Sequence, residues 1–100
     1  KGNVEGSVGK YMQGGFITIE GNAGDNIGEE MESGTIVIEG NAGDNLGLKM
    51  KGGTIVVKGT AKDSIGQCIR GGKIELYGKI GWVSYDCEGG KIYHKGKRIR

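Results

Sequence analysis

Gly21-Asn22-Ala23-Gly24-Asp25-Asn26-Ile27-Gly28 returns as Gly40-Asn41-Ala42-Gly43-Asp44-Asn45-Leu46-Gly47. The stretch that follows, Met31-Glu32-Ser33-Gly34-Thr35-Ile36-Val37-Ile38-Glu39, returns as Met50-Lys51-Gly52-Gly53-Thr54-Ile55-Val56-Val57-Lys58. The period is 19 residues. A unit of that length cannot bury its own apolar side, so it is read as one layer of a stack.

Working outward, the units run 2–20, 21–39, 40–58, 59–77 and 78–95. The last is one residue short, with the deletion between Gly78 and Val83. Gly96 then opens a sixth unit that stops at Arg100. Residues 16–20, 35–39, 54–58 and 73–77 lack glycine and alternate strictly, with Ile17/Ile19, Ile36/Ile38, Ile55/Val57 and Ile74/Leu76 on one face. That is the period of a half-buried strand. A shorter second strand is expected around Val8, Ile27, Leu46, Ile65 and Val83.

The 23 glycines supply the corners, and the absence of proline keeps every ladder donor. The expected fold is all-β: a parallel β-helix, or solenoid, of about five 19-residue coils. Crossover chirality makes it right-handed. A four-stranded propeller blade needs more residues per unit, and collagen needs glycine at every third position.

Residues 19 apart stack into columns. The Ile17/Ile36/Ile55/Ile74/Ile92 and Ile19/Ile38/Val57/Leu76 columns are expected to fill the core, with Met12/Met31/Met50/Ile69/Cys87 as corner filler. Asn3, Asn22 and Asn41 form an amide column, read as a structural ladder along the axis. Asp25, Asp44 and Asp63 form a carboxylate column. Like charges at one strand spacing repel, so backbone N–H groups are expected to compensate them as turn caps in preference to a bound cation.

Cys68 and Cys87 fall in columns that face apart, which predicts unpaired thiols and a cytoplasmic setting. Trp82, Tyr85, Tyr93 and His94 cluster in the degenerate fifth unit, with His94 expected at the inner end of the core. These four, with the outward Val37 and Val56 beside Thr35 and Thr54, are the candidate partner contacts. No P-loop, nucleophile elbow or dinucleotide fingerprint is present. A small hydrolase would have to bring Ser84 to His94. No catalytic, cofactor-binding or metal-binding residue is assigned.

Net charge is +2, divided as −5 over residues 1–50 and +7 over residues 51–100. In a solenoid this becomes an axis with an acidic and a basic end, which favours oriented docking to a partner. No nucleic-acid motif and no 18-residue apolar run appears, so neither nucleic acid nor membrane is expected as a partner. The chain reads as a single domain over residues 1–100. It starts at Lys1, one residue before a repeat, which is read as a fragment whose first-coil cap lies outside the sequence.

The units G-N-A-G-D-N-I-G-E-E-M-E-S-G-T-I-V-I-E-G and G-N-A-G-D-N-L-G-L-K-M-K-G-G-T-I-V-V-K-G resemble the GXGXG repeats of one superfamily. It comprises the repeat-bearing subunit of formylmethanofuran dehydrogenase, a methanogenesis enzyme, and the C-terminal domain of the glutamate synthase large subunit. The resemblance covers residues 2–95, and the uncorrupted G-N-A-G-D units look closer to the former. It implies a right-handed β-helix that serves as a non-catalytic scaffold in an oxidoreductase. Molybdenum or tungsten pterin, iron–sulfur or flavin groups would sit on partner subunits or domains and none on this chain. It also implies structural turn roles for Gly14, Gly15, Gly34, Gly52, Gly53, Gly71, Gly72, Gly89 and Gly90. A stand-alone homo-oligomeric solenoid with a binding role is the other reading.

Overall fold

A computed structural model describes residues 8–84 and 89–100. Strands β1 (Gln13–Ile19), β2 (Ser33–Ile38), β3 (Thr54–Val57), β4 (Lys73–Leu76), β5 (Lys91–His94) and β6 (Lys97–Arg98) form one sheet in chain order. Strands β1 to β5 pair in parallel, and Ile17, Ile36, Ile55, Ile74 and Ile92 stand in one register line. Parallel neighbours in sequence order require each connection to wind around and return beside its origin. The fold is therefore a β-solenoid, of about four turns. No residue among those described is helical.

The core is a stack of columns. Ile36, Ile55, Ile74 and Ile92 are fully buried, as are Ile38 and Val57, with Leu76 nearly so. Met31, Met50 and Ile69 close one corner, also fully buried, and act there as filler. The remaining side is lined by Ala23, Ala42, Ala61 and by Ile27, Leu46 and Ile65. Each large aliphatic side chain contributes about 1.5–3 kcal/mol on burial. Among the described residues no second strand forms there: Ala61–Ile80 and Ile65–Val83 are isolated parallel bridges, Ala23 is a further bridge residue, and the rest of that side is turn, bend or irregular. The corner residues Asn26, Asn45 and Ser64 have φ near +60°, which interrupts extended backbone before a strand can propagate.

Two glycine columns have a steric cause. At Gly72, with φ +85°, a Cβ would lie 2.8 Å from the backbone carbon of Gly52 and 2.9 Å from the Gly53 oxygen. At Gly47, with φ +71°, a Cβ would lie 2.7 Å from Ile74 Cδ1, and at Gly66 the same distance from Ile92 Cδ1. Isoleucine of one coil thus packs against the bare glycine of the coil before it. Ser84 follows Val83, the bridge partner of Ile65, and so takes the place of Gly66 one coil later. It can carry a side chain because the isoleucine column ends at Ile92.

The expectation of turns at Gly14, Gly15 and Gly34 needs correcting. All three lie inside strands, Gly14 and Gly15 at a register shift in which Gln13 pairs with Ser33 and Phe16 with Thr35. Strand β1 therefore holds one more residue than β2 over this stretch, the signature of a bulge. Ser33, the one residue to break the double-glycine pattern, faces this irregular stretch.

The expected sixth unit is also absent. Lys95 (φ +53°) and Gly96 (φ +84°) form a two-residue loop, and β6 returns antiparallel to β5, with Tyr93 opposite Arg98 and His94 opposite Lys97. Positive φ at both loop positions is the type I′ hairpin geometry. Ile99 then packs on the core, and Arg100 Nη1 donates to the Gly66 oxygen at 3.0 Å. The hairpin caps the last coil.

Substituting Gly47→Ala is expected to lower unfolding stability by about 2–3 kcal/mol, from left-handed strain and overpacking against Ile74. Ile74→Val removes the opposing methyl. The double variant should be less destabilised than the sum of the singles by about 1 kcal/mol in urea titrations.

Candidate functional site

Outward positions along the sheet form three lines. Phe16, Thr35, Thr54, Lys73 and Lys91 make one, and Thr18, Val37, Val56, Glu75 and Tyr93 the next. The third, continued by backbone bonds one residue past the strands, runs Glu20, Glu39, Lys58, Tyr77 and Lys95. The face therefore changes character along the axis, from Phe16, which is 68% exposed, through a Thr/Val band to a polar and aromatic end. Val37 and Val56 are adjacent and half-buried on this outer surface, as the sequence places them. A Lys58–Glu39 ion pair of 3.2 Å borders them.

At the β4–β5 end lies a hollow of about 310 Å³ lined by Lys73, Glu75, Tyr77, Tyr93 and Gly96. Alternation puts residues 73, 75 and 77 on one face, so three consecutive outward side chains meet. Glu75 accepts from Lys73 Nζ at 3.0 Å and from the Tyr77 hydroxyl at 3.0 Å. Lys73 Nζ also lies 6.0 Å from the centre of the Tyr93 ring. The hydrogen bond from Lys73 is the main cause that holds the Glu75 carboxyl below its ordinary value; burial opposes it, and the bond from Tyr77 adds to the lowering. The same contacts raise Lys73 and Tyr77, chiefly through their bonds to Glu75. Tyr93 is legible in the sequence as a contact residue. Its partners are not, because Lys73, Glu75 and Tyr77 lie in different columns of a regular repeat, and only their shared face unites them.

The Asn and Asp columns are structural ladders. Asn22 Oδ1 accepts from the Asn41 N–H at 2.8 Å, and Asn41 Oδ1 from the Thr60 N–H at 2.7 Å. Asp25 Oδ1 accepts from Asp44 N–H at 2.8 Å, Asp44 from Asp63 at 3.1 Å, and Asp63 from Trp82 at 3.3 Å. The N–H groups come from the following coil, 19 residues on, and not from the same turn as an Asx turn would have it. Backbone donors between successive carboxylates compensate their like charge.

Trp82 occupies the aspartate position of the last coil and Val83 pairs with Ile65, so the missing residue is the left-handed one, equivalent to Ser64. Trp82 is 55% exposed. His94 continues the Leu76 column, as expected, and its Nε2 lies 2.8 Å from the Gly78 oxygen. A carbonyl only accepts, so Nε2 carries the proton. Ser84 is 1% exposed, which puts it beyond the reach of an external ester. Tyr85 lies outside the described residues.

Cys68 is disulfide-bonded, which overturns the expectation of unpaired thiols. That expectation assumed that neighbouring columns face apart, as they do in a strand. Cys68 sits at a corner with φ +52°, where alternation of side-chain direction fails. The chain's other cysteine, Cys87, lies outside the described residues. Among the described residues no group of three or more His, Cys, Asp or Glu is placed to hold a metal ion. No helix among them is long and apolar enough to cross a membrane.

No known family model matches the chain, and no curated protein is significantly similar to it.

Three measurements check this geometry. Asp44→Ala should cost about 1 kcal/mol by leaving the Asp63 N–H without its acceptor, whereas Asp44→Asn keeps an oxygen there and should cost less than half as much. Calcium should leave the melting temperature of the parent unchanged. Separately, carbon-detected titration should give Glu75 a pKa below an ordinary glutamate, returning upward in Lys73→Met. The native state retains this contribution above the normal glutamate range and loses it as pH falls through the depressed value.

Proposed function

We propose that this chain is a non-catalytic scaffold, a β-solenoid module that holds other chains or domains in place. The observation that carries the reading is the disposition of its polar groups. The Asn and Asp columns are engaged in coil-to-coil hydrogen bonds, and the buried Ser84 and the carbonyl-bonded His94 are withdrawn from solvent chemistry. What remains outward is a regular face with a Thr/Val band between an end marked by Phe16 and Glu20 and a lysine-rich end. Such a face suits oriented docking, with apolar contact at the centre and charge setting direction.

The finer reading follows the repeat resemblance alone: a subunit or domain of a multi-component oxidoreductase, most like the repeat-bearing subunit of formylmethanofuran dehydrogenase, with the glutamate synthase domain as second choice. In either setting the pterin, iron–sulfur or flavin groups belong to the partners. The cytoplasmic setting expected for such a complex now rests on that resemblance, since a disulfide at Cys68 is commoner in oxidising compartments.

Low-salt affinity purification of the full chain tests the proposal. A redox subunit is expected to co-purify, and to be lost from the double variant Val37→Glu, Val56→Glu while that variant keeps its thermal transition. Recovery of the chain alone, or an unchanged partner set with the double variant, refutes docking through this face.

A further inference from the structure

We propose that the hollow on the outer face of β4 and β5 binds an acidic saccharide, a role independent of the scaffold reading. Three features converge on it. First, its floor is pre-assembled and electrically balanced: the Glu75 carboxylate is shared between Lys73 Nζ and the Tyr77 hydroxyl, both at 3.0 Å. Lys73 retains further N–H donors, and Glu75 and the Tyr77 oxygen retain acceptor capacity. A floor that both donates and accepts without net charge suits vicinal hydroxyl groups better than a bare ion.

Second, tyrosine rings wall the floor, one just past β4 and one on β5. Tyr77 and Tyr93 both line the hollow, and Tyr77 is substantially exposed. An aromatic face offers apolar area to the C–H side of a sugar ring while the ring's hydroxyl edge meets the floor. Gly96 leaves the rim open, since a Cβ built there would meet nothing within 4 Å.

Third, the rim is basic. Lys91 stands beside Lys73 in register, Lys95 follows the Leu76–His94 pair and so lies beside Tyr77, and Arg98 of β6 stands opposite Tyr93 on the same face. Among the described residues Glu75 is the sole carboxylate lining the hollow, and it is already engaged. A balanced floor within a cationic rim selects a ring compound that also bears a carboxylate or sulfate. Neither a neutral sugar nor a small inorganic anion satisfies both parts.

Titration of the intact protein with trigalacturonate, followed by amide shifts and calorimetry at low salt, tests the site. Maltotriose serves as the neutral comparator and sodium sulfate as the bare anion. Shifts centred on residues 73–77 and 93–96 are expected, with trigalacturonate at least about tenfold tighter than either comparator. Tyr93→Ala should weaken binding by about tenfold or more through loss of the stacking face, and Lys91→Glu by a similar factor that narrows as salt rises. Both positions face solvent, and an unchanged thermal transition shows that each variant folds. The proposal is overturned by an absence of saturable binding, by an unaltered affinity in Tyr93→Ala, or by sulfate competing as well as the saccharide.

Discussion

Hydrogen bonds between residues 19 apart are the constraint on which the rest of this protein depends. A strand of four to seven residues has no sheet to join until the chain has gone once around and returned in register. Residue 17 must land beside 36, 55, 74 and 92, or the isoleucines leave the core. The corners obey the same rule by a different device. There the backbone turns through positive φ, and side-chain oxygens of Asn22, Asn41, Asp25, Asp44 and Asp63 accept the N–H groups of the next coil. The ladder is thus continued around the corner by side chains where the main chain cannot maintain it.

This explains why the sequence speaks clearly about architecture. A column must satisfy sterics and hydrogen bonding together, so its chemistry repeats: glycine where the next coil's isoleucine presses, amide or carboxylate where an N–H arrives. The inward faces of β1 to β5 and the methionine corner are legible for that reason. The second strand is misread, because Ile27, Leu46 and Ile65 are buried just as strand residues are, although the backbone of Ile27 and Leu46 is turned and Ile65 makes only an isolated bridge. The hairpin is obscured by Gly96, which matches the opening glycine of a unit yet follows Lys95 in a left-handed conformation. Cys68 shows the same limit: strand logic assigns directions to side chains, and at corners that logic lapses.

Function is less legible for a related reason. Repetition advertises what each coil shares, while recognition needs what one coil has alone. Lys73, Glu75, Tyr77 and Tyr93 break three separate outward lines, and each break reads as ordinary surface variation. Only the pleat, which puts alternate residues on one side, and the register of β4 with β5 bring the four together. Trp82 is easier to notice, and the fold gives its origin: the coil lost its left-handed residue there, and the aspartate position passed to an exposed indole.

The hairpin cap has a consequence for the size of the molecule. Its closure of the last coil uses β5, Ile99 and the reach of Arg100 to Gly66, and asks nothing of the coils before them. A duplicated 19-residue block inserted upstream would meet the same columns above and below that it left. The rod could therefore gain length in steps of one strand spacing, about 4.8 Å, without a new interface. Loss or gain of a single residue, by contrast, must be absorbed at a corner. The protein is built like a ruler with one fixed end: its graduations are interchangeable, and selection can set its span by counting copies.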